Sequence, residues 1–206
     1  MSEREDLRQP RRSDARTNRV RILEAAEEVF GKGGESASTE EVARLAGVGI
    51  ATVFRHFPTK AALLEAVLVA RFEELRQRAE ELGKADAPGP AFFAFFTHMV
   101  TDSPKKIAIA EALSDACGEL EGGAGIASNE LRRVIGELLR RAQEAGAVRD
   151  DVELPELYAL LIGASRAAAM AKLDEEVQSR TLAIIFAGLA PRREEGDPLP
   201  RFPGGG

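Results

Sequence analysis

Two stretches of the chain gather side chains able to act in concert. Residues 8–21 hold six arginines, Arg8, Arg11, Arg12, Arg16, Arg19 and Arg21, against the single acid Asp14. Between Thr39 and Lys60, hydroxyl, guanidinium, imidazole and ammonium groups (Thr39, Thr52, Arg55, His56, Lys60) stand beside the apolar Ile50, Ala51, Val53 and Phe54. Such cations and hydroxyls can hold phosphate oxygens, and the groups beside them can meet base edges in a major groove. Catalysis finds no comparable grouping. His98 with Cys117 and Asp115 or Glu111 would supply a nucleophile, a base and an orienter. No nucleophile elbow, glycine-rich phosphate loop, HExxH or paired-carboxylate motif accompanies them. No catalytic residue, metal or cofactor is assigned.

Helices must position these groups, because the chain shows no alternating β-branched runs and no Asn-Gly or Asp-Gly hairpin turns. The expected fold class is all-α. Ile22, Leu23, Ala26, Val29 and Phe30 form one stripe of a first helix, which stops at Gly31-Lys32-Gly33-Gly34. Ser38 and Glu41 make a capping box for a second, short helix with Val42, Leu45 and Ala46 on its apolar face. Gly47 ends it, and Val48 plugs the core at the turn. A third helix spans about residues 50–57 with Val53 and Phe57 inward, and Pro58-Thr59 breaks the chain and caps a fourth. Three helices joined by short glycine-containing turns describe a helix–turn–helix unit, although the same spacing suits three ordinary helices of an all-α domain.

The turn-rich segment Gly83–Pro90 marks a soft boundary, with further helices predicted at about 91–102, 104–117, 128–145, 154–173 and 177–189. The expected organisation is a flexible basic arm (1–15), a helix–turn–helix unit with connecting helix (16–82; helix–turn–helix about 38–57), a C-terminal helical domain (83–190) and a disordered, Pro- and Gly-rich tail (191–206).

With 206 residues, 44% of them apolar and 30% charged, the chain can bury a core. One cysteine excludes an internal disulfide, and two histidines leave little for a metal cluster. No apolar run approaches a membrane span and no signal peptide is legible, which predicts a cytoplasmic protein with no membrane partner. The net charge of −6 is unevenly spread: residues 1–60 carry 11 Lys/Arg against 10 Asp/Glu, and the remainder 17 against 24. A basic arm thus sits on an acidic body, which permits a local anionic partner.

Residues 16–68, above all the stretch 38–64 (STEEVARLAGVGIATVFRHFPTKAALL), resemble the N-terminal domain of TetR-family transcriptional regulators. The resemblance rests on a first helix ending in F-x-x-G-G, on Thr39, Ala43 and Ala46-Gly47-Val48, and on Thr52 through Lys60. It implies double-stranded DNA as partner, with Gly49, Ile50, Ala51 and Thr52 at the base edges. Three of those four lack a polar side chain, so hydrogen-bond readout is sparse; Ile50 and Thr52 can instead press on thymine methyls. The family usually has tyrosine where this chain has Phe54, whose ring packs but cannot bond a phosphate. Arg55, His56 and Lys60 would carry phosphate contacts, with Thr39 a further candidate and Arg16 and the arm reaching a minor groove.

The resemblance also implies a C-terminal domain that dimerises and binds a small effector. Phe92, Phe93, Phe95, Phe96 and Met99 fall within an arc of roughly 160° on one helix. That face reads either as core or as the lining of an apolar ligand cavity, with His98, Cys117, Tyr158 and Met170 as polar or polarisable candidates. Leu157, Leu161, Ala164 and Ala168, with Leu182, Ile185, Phe186 and Leu189, form stripes on the last two helices. In the family such a pair packs against its symmetry mate, and the residue pattern alone also allows burial within one subunit. The functional expectation is a homodimeric repressor, released from a palindromic operator by a small apolar ligand. The alternative is a helical ligand-binding or scaffold protein without specific DNA binding.

Overall fold

The computed structural model describes residues 9–33, 36–101, 122–171 and 173–191; for residues 9–13, 169 and 170 it describes the backbone alone. Among the described residues there are eight α-helices and no strand. They are α1 (Gln9–Gly33), α2 (Thr39–Ala46), α3 (Ile50–His56), α4 (Lys60–Gly83), α5 (Pro88–Thr101), α6 (Gly122–Glu144), α7 (Leu154–Ala171) and α8 (Glu175–Leu189). The helix predicted at 104–117 and the tail beyond residue 191 lie outside the described residues, as do residues 1–8. None of the described helices is long and apolar enough to cross a membrane.

The caps explain why the N-terminal helices begin and end where they do. The Glu41 amide donates to Ser38 Oγ at 3.2 Å, and the Ser38 amide donates to the Glu41 carboxylate at 3.1 Å, closing the capping box of α2. Gly47 ends α2 in the left-handed conformation (φ 65°), its N–H returning to the carbonyls of Ala43 and Arg44. The Ala62 amide donates to Thr59 Oγ1 at 3.0 Å and starts α4.

Two hydrophobic cores divide the molecule. The first gathers Ile22, Ala26 and Phe30 of α1, Val42 and Ala46 of α2, Val53 of α3, Phe57, and Leu63, Leu64, Val67 and Leu68 of α4. The second gathers Leu75 and Ala79 of α4 with α5, α6, α7 and α8. The change of core therefore falls within α4, between Leu68 and Leu75, and not at the Gly83–Pro90 turn. Helix α4 is a beam shared by both halves.

Helix α6 joins them a second time, packing along α4. It starts about six residues earlier than its periodicity predicts, in Gly122-Gly123-Ala124-Gly125, a poor helical sequence. Tertiary contacts hold it there. The Gly123 amide donates to Glu65 Oε1 of α4 at 2.9 Å, and Ala124 is fully buried in the first core. At its other end Gln143 ties the α6–α7 connection by donating to the Arg149 and Val152 carbonyls.

The N-terminal arm is also revised. Helix α1 begins at Gln9, so residues 9–15 continue the first helix instead of forming a flexible arm. Pro10 suits a first turn, and no glycine or second proline interrupts residues 11–30.

Candidate nucleic-acid interface

Helix α3 is only seven residues long, and its inward side is fixed by Val53, with Phe57 just beyond its end; both are buried. Turning those two inward leaves Ile50, Ala51, Phe54 and Arg55 on the outward face. Ile50 and Phe54, 36% and 43% exposed, are large apolar side chains left in solvent on a helix with a formed core beneath it. Gly49, which precedes the helix, has open space where a Cβ would stand. Thr52 is half-buried, and its amide donates to the Gly49 carbonyl at 2.8 Å.

Cations occur on α3 and on the helices before and after it. Arg55 is exposed at the end of α3, and His56 is half-buried with its ring 6.2 Å from that of Phe57. Lys60 is half-buried in the first turn of α4, its Nζ 5.5 Å from the centre of the Phe30 ring. Arg16 is exposed on α1. Thr39 opens α2. It is nearly buried, and its hydroxyl donates to the Glu40 carboxylate at 3.4 Å.

Two further basic residues lie near the site. Arg19 lies with its guanidinium 5.2 Å from the centre of the Phe57 ring. Arg21 stands over the α2–α3 turn, so close that a Cβ at Gly47 would fall 2.7 Å from its Nη2. The arginine cluster at 8–21 was the available signal. Carried on α1, Arg19 and Arg21 lie against the helix–turn–helix.

In the C-terminal half the aromatic face of α5 packs ring on ring. Phe93 meets Phe186 at 4.6 Å between centroids, Phe92 meets Phe93 at 5.3 Å, and Phe96 meets Phe186 edge-on at 5.5 Å. Phe92, Phe95 and Phe96 are buried, while Phe93 and Met99 are half-buried against the same core. His98 is half-buried. Tyr158 is half-buried beneath Arg132, 4.7 Å from its ring; burial pushes its phenol above the ordinary range, with the guanidinium opposing. Cys117, with Asp115 and Glu111, lies outside the described residues, as does the Met170 side chain.

The stripes expected at the dimer contact face inward. Leu157, Leu161, Ala168, Leu182 and Leu189 are buried, and Ala164, Ile185 and Phe186 pack against the second core. Periodicity identified an apolar face on each helix but could not distinguish the inner from the outer, because both helices are apolar on both sides. Outside stand Leu160, Ile162, Gly163 and Ala167 of α7 with Ile184, Ala187 and Gly188 of α8. Ile162 is 54% and Ile184 74% exposed, and both glycines face open space.

Comparison with known proteins places these features in a lineage. Residues 22–67 match the model of bacterial regulatory proteins of the tetR family. Residues 87–191 match that of the C-terminal domain of SbtR-like transcriptional regulators. A crystal structure of a TetR transcription regulatory protein from Mycobacterium vanbaalenii is 37% identical, covers 87% of this chain and 99% of its own, and superposes with a TM-score of 0.71. An HTH-type transcriptional regulator of Staphylococcus aureus is 32% identical over 75 residues, 35% of this chain and 39% of its own length. The HTH-type transcriptional repressor KstR of Mycobacterium tuberculosis is 25% identical over 138 residues, 66% of this chain and 63% of its own. This chain thus spans less than two thirds of either curated relative in the matched region.

Proposed function

The chain belongs to the TetR family of DNA-binding transcriptional regulators, and on that premise we propose that it is a homodimeric repressor that leaves a palindromic operator when a small apolar ligand binds. The observation that carries the DNA-binding part is the outward face of α3, with Ile50, Ala51, Phe54 and Arg55 exposed, Arg19 over the neighbouring Phe57 ring and Arg21 at the α2–α3 turn. A helix so flanked enters the major groove, its cations meeting phosphates while its exposed face meets base edges. The DNA-binding unit runs from α1 into the first half of α4, and the regulatory unit comprises the remaining helices.

Dimerisation is assigned to the outward face of α7 and α8. A helix apolar on both sides has two interfaces to satisfy, and the second core occupies only one of them. Ile162 and Ile184 supply area there, and Gly163 and Gly188 let a partner helix approach closely. A two-fold pair would set two α3 helices about 34 Å apart, one turn of DNA, which is why the operator is read as a palindrome.

The ligand site is assigned to the aromatic layer of α5, where rings from α5 and α8 meet. A ligand parting those rings would move the second half of α4, which shares their core, and with it the DNA-binding unit. It shifts the balance only by its difference in affinity for the two arrangements.

Selection of random duplex DNA by the full chain tests the reading. Enrichment of a palindrome is expected. A folded, helical protein that enriches nothing at low salt overturns it. Titrating the retained duplex with apolar compounds tests the ligand step: a compound that binds the protein without changing its affinity for the duplex is no effector.

A further inference from the structure

We propose that this regulator recognises its operator through the 5-methyl groups of thymines, with Ile50 and Phe54 as the residues that set specificity; the inference rests on the DNA-binding reading above. Among the atoms a base pair presents in the major groove, the thymine methyl is the apolar one, and aromatic and aliphatic side chains meet it by burial. The outward face of α3 is built for that contact. Ile50 and Phe54 stand four residues apart on it, and Ala51 is exposed beside them. Neither large side chain is needed by the core, which Val53 and Phe57 already complete.

The polar groups present make a poor substitute for methyl readout. Thr52 is half-buried, and Gly49 offers only backbone. Arg55 is the one charged group on the outward face, placed at its C-terminal edge, towards the cations that meet phosphate. A helix advances about 1.5 Å per residue, so the two apolar side chains stand about 6 Å apart along α3. Two base steps of about 3.4 Å each span a similar distance. Each half-site is therefore expected to hold two thymines about two steps apart, on either strand.

The test replaces thymine with deoxyuridine, which removes the methyl and leaves pairing and hydrogen-bonding edges unchanged. The full chain first selects from a random duplex pool, and each thymine of the most enriched duplex is then replaced singly and the affinity measured. Two positions per half-site are expected to weaken binding about fourfold each, the affinity worth of one buried methylene. Ile50→Ala should become indifferent to uracil at one of the two positions and Phe54→Ala at the other, both keeping the circular dichroism of the parent. An enriched duplex that tolerates uracil at every thymine overturns methyl readout and leaves DNA binding standing. Uracil sensitivity unchanged in both variants overturns the assignment to Ile50 and Phe54. No enrichment at all overturns this proposal together with the reading it rests on. Should either variant fail to fold, the uracil series on the unaltered chain still decides the matter.

Discussion

Lys60 stands where two demands on one ammonium group meet. It opens α4, where free backbone amides and the helix dipole favour a nearby anion, and its Nζ rests 5.5 Å from the centre of the buried Phe30 ring. Phosphate contact and ring packing predict different losses, so they can be separated. Lys60→Met keeps most of the apolar stem and removes the charge. Its affinity should fall by a similar factor for specific and unrelated duplexes, and the slope of log affinity against log salt should become shallower by about one unit. An unchanged slope removes Lys60 from the phosphate contacts. Gly47 raises the opposite question, one of backbone and not charge. Its φ of 65° lies where a side chain costs about 1–2 kcal/mol, and its Cβ would also press on the end of Arg21. Gly47→Ala should lower the melting temperature by about 2–8 °C in a thermal circular-dichroism scan. A variant melting with the parent would show that the α2–α3 turn relaxes without penalty.

At the scale of elements, the helices that were legible in the sequence are those whose signals are local. Ser38 with Glu41, Gly47 and Thr59 state the boundaries of α2 and α4 within four residues of themselves, and the structure uses each as a cap or stop. The start of α6 could not be read that way. Its Gly-Gly-Ala-Gly opening argues against a helix, and the group that sustains it, Glu65, lies 58 residues away in sequence. The inner faces of α7 and α8 were hidden for a related reason: periodicity shows that a face is apolar, and only the fold shows what covers it. The candidate interface divides similarly. Ile50, Phe54 and Arg55 were legible because α3 is short and one side is claimed by Val53, whereas Arg19 and Arg21 needed α1 to be placed. Glu65 also yields a prediction. Glu65→Ala leaves the Gly123 amide without its side-chain acceptor and should cost about 0.5–2 kcal/mol, the usual penalty for a lost helix cap. Because the contact joins the DNA-binding core to α6, the same change should weaken the response of a bound complex to effector more than it weakens duplex binding itself. Equal stability and an undiminished response would reduce Glu65 to a bystander.

At the scale of the whole molecule, the proposed reading requires two DNA-binding units to be held in register so that a palindrome can be read. That requirement sharpens the prediction for α7 and α8. Ile184 is 74% exposed and Leu157 is fully buried, so glutamate at the two positions should fail in different ways. Ile184→Glu sets a charge on the outward face, which solvent tolerates in a monomer but a close apolar contact between subunits does not. It should halve the mass measured by light scattering at micromolar concentration and leave helicity intact. Its affinity for the two-half-site duplex should fall by at least about a hundredfold, as the second half-site contact ceases to be intramolecular, while affinity for a single half-site should hardly change. Leu157→Glu should instead unfold the C-terminal half, because the charge enters the second core of the same subunit. If Ile184→Glu remains a dimer, the subunits meet elsewhere. The spacing of the α3 pair would then be set by a different surface, and the outward apolar face of α7 and α8 would need another partner.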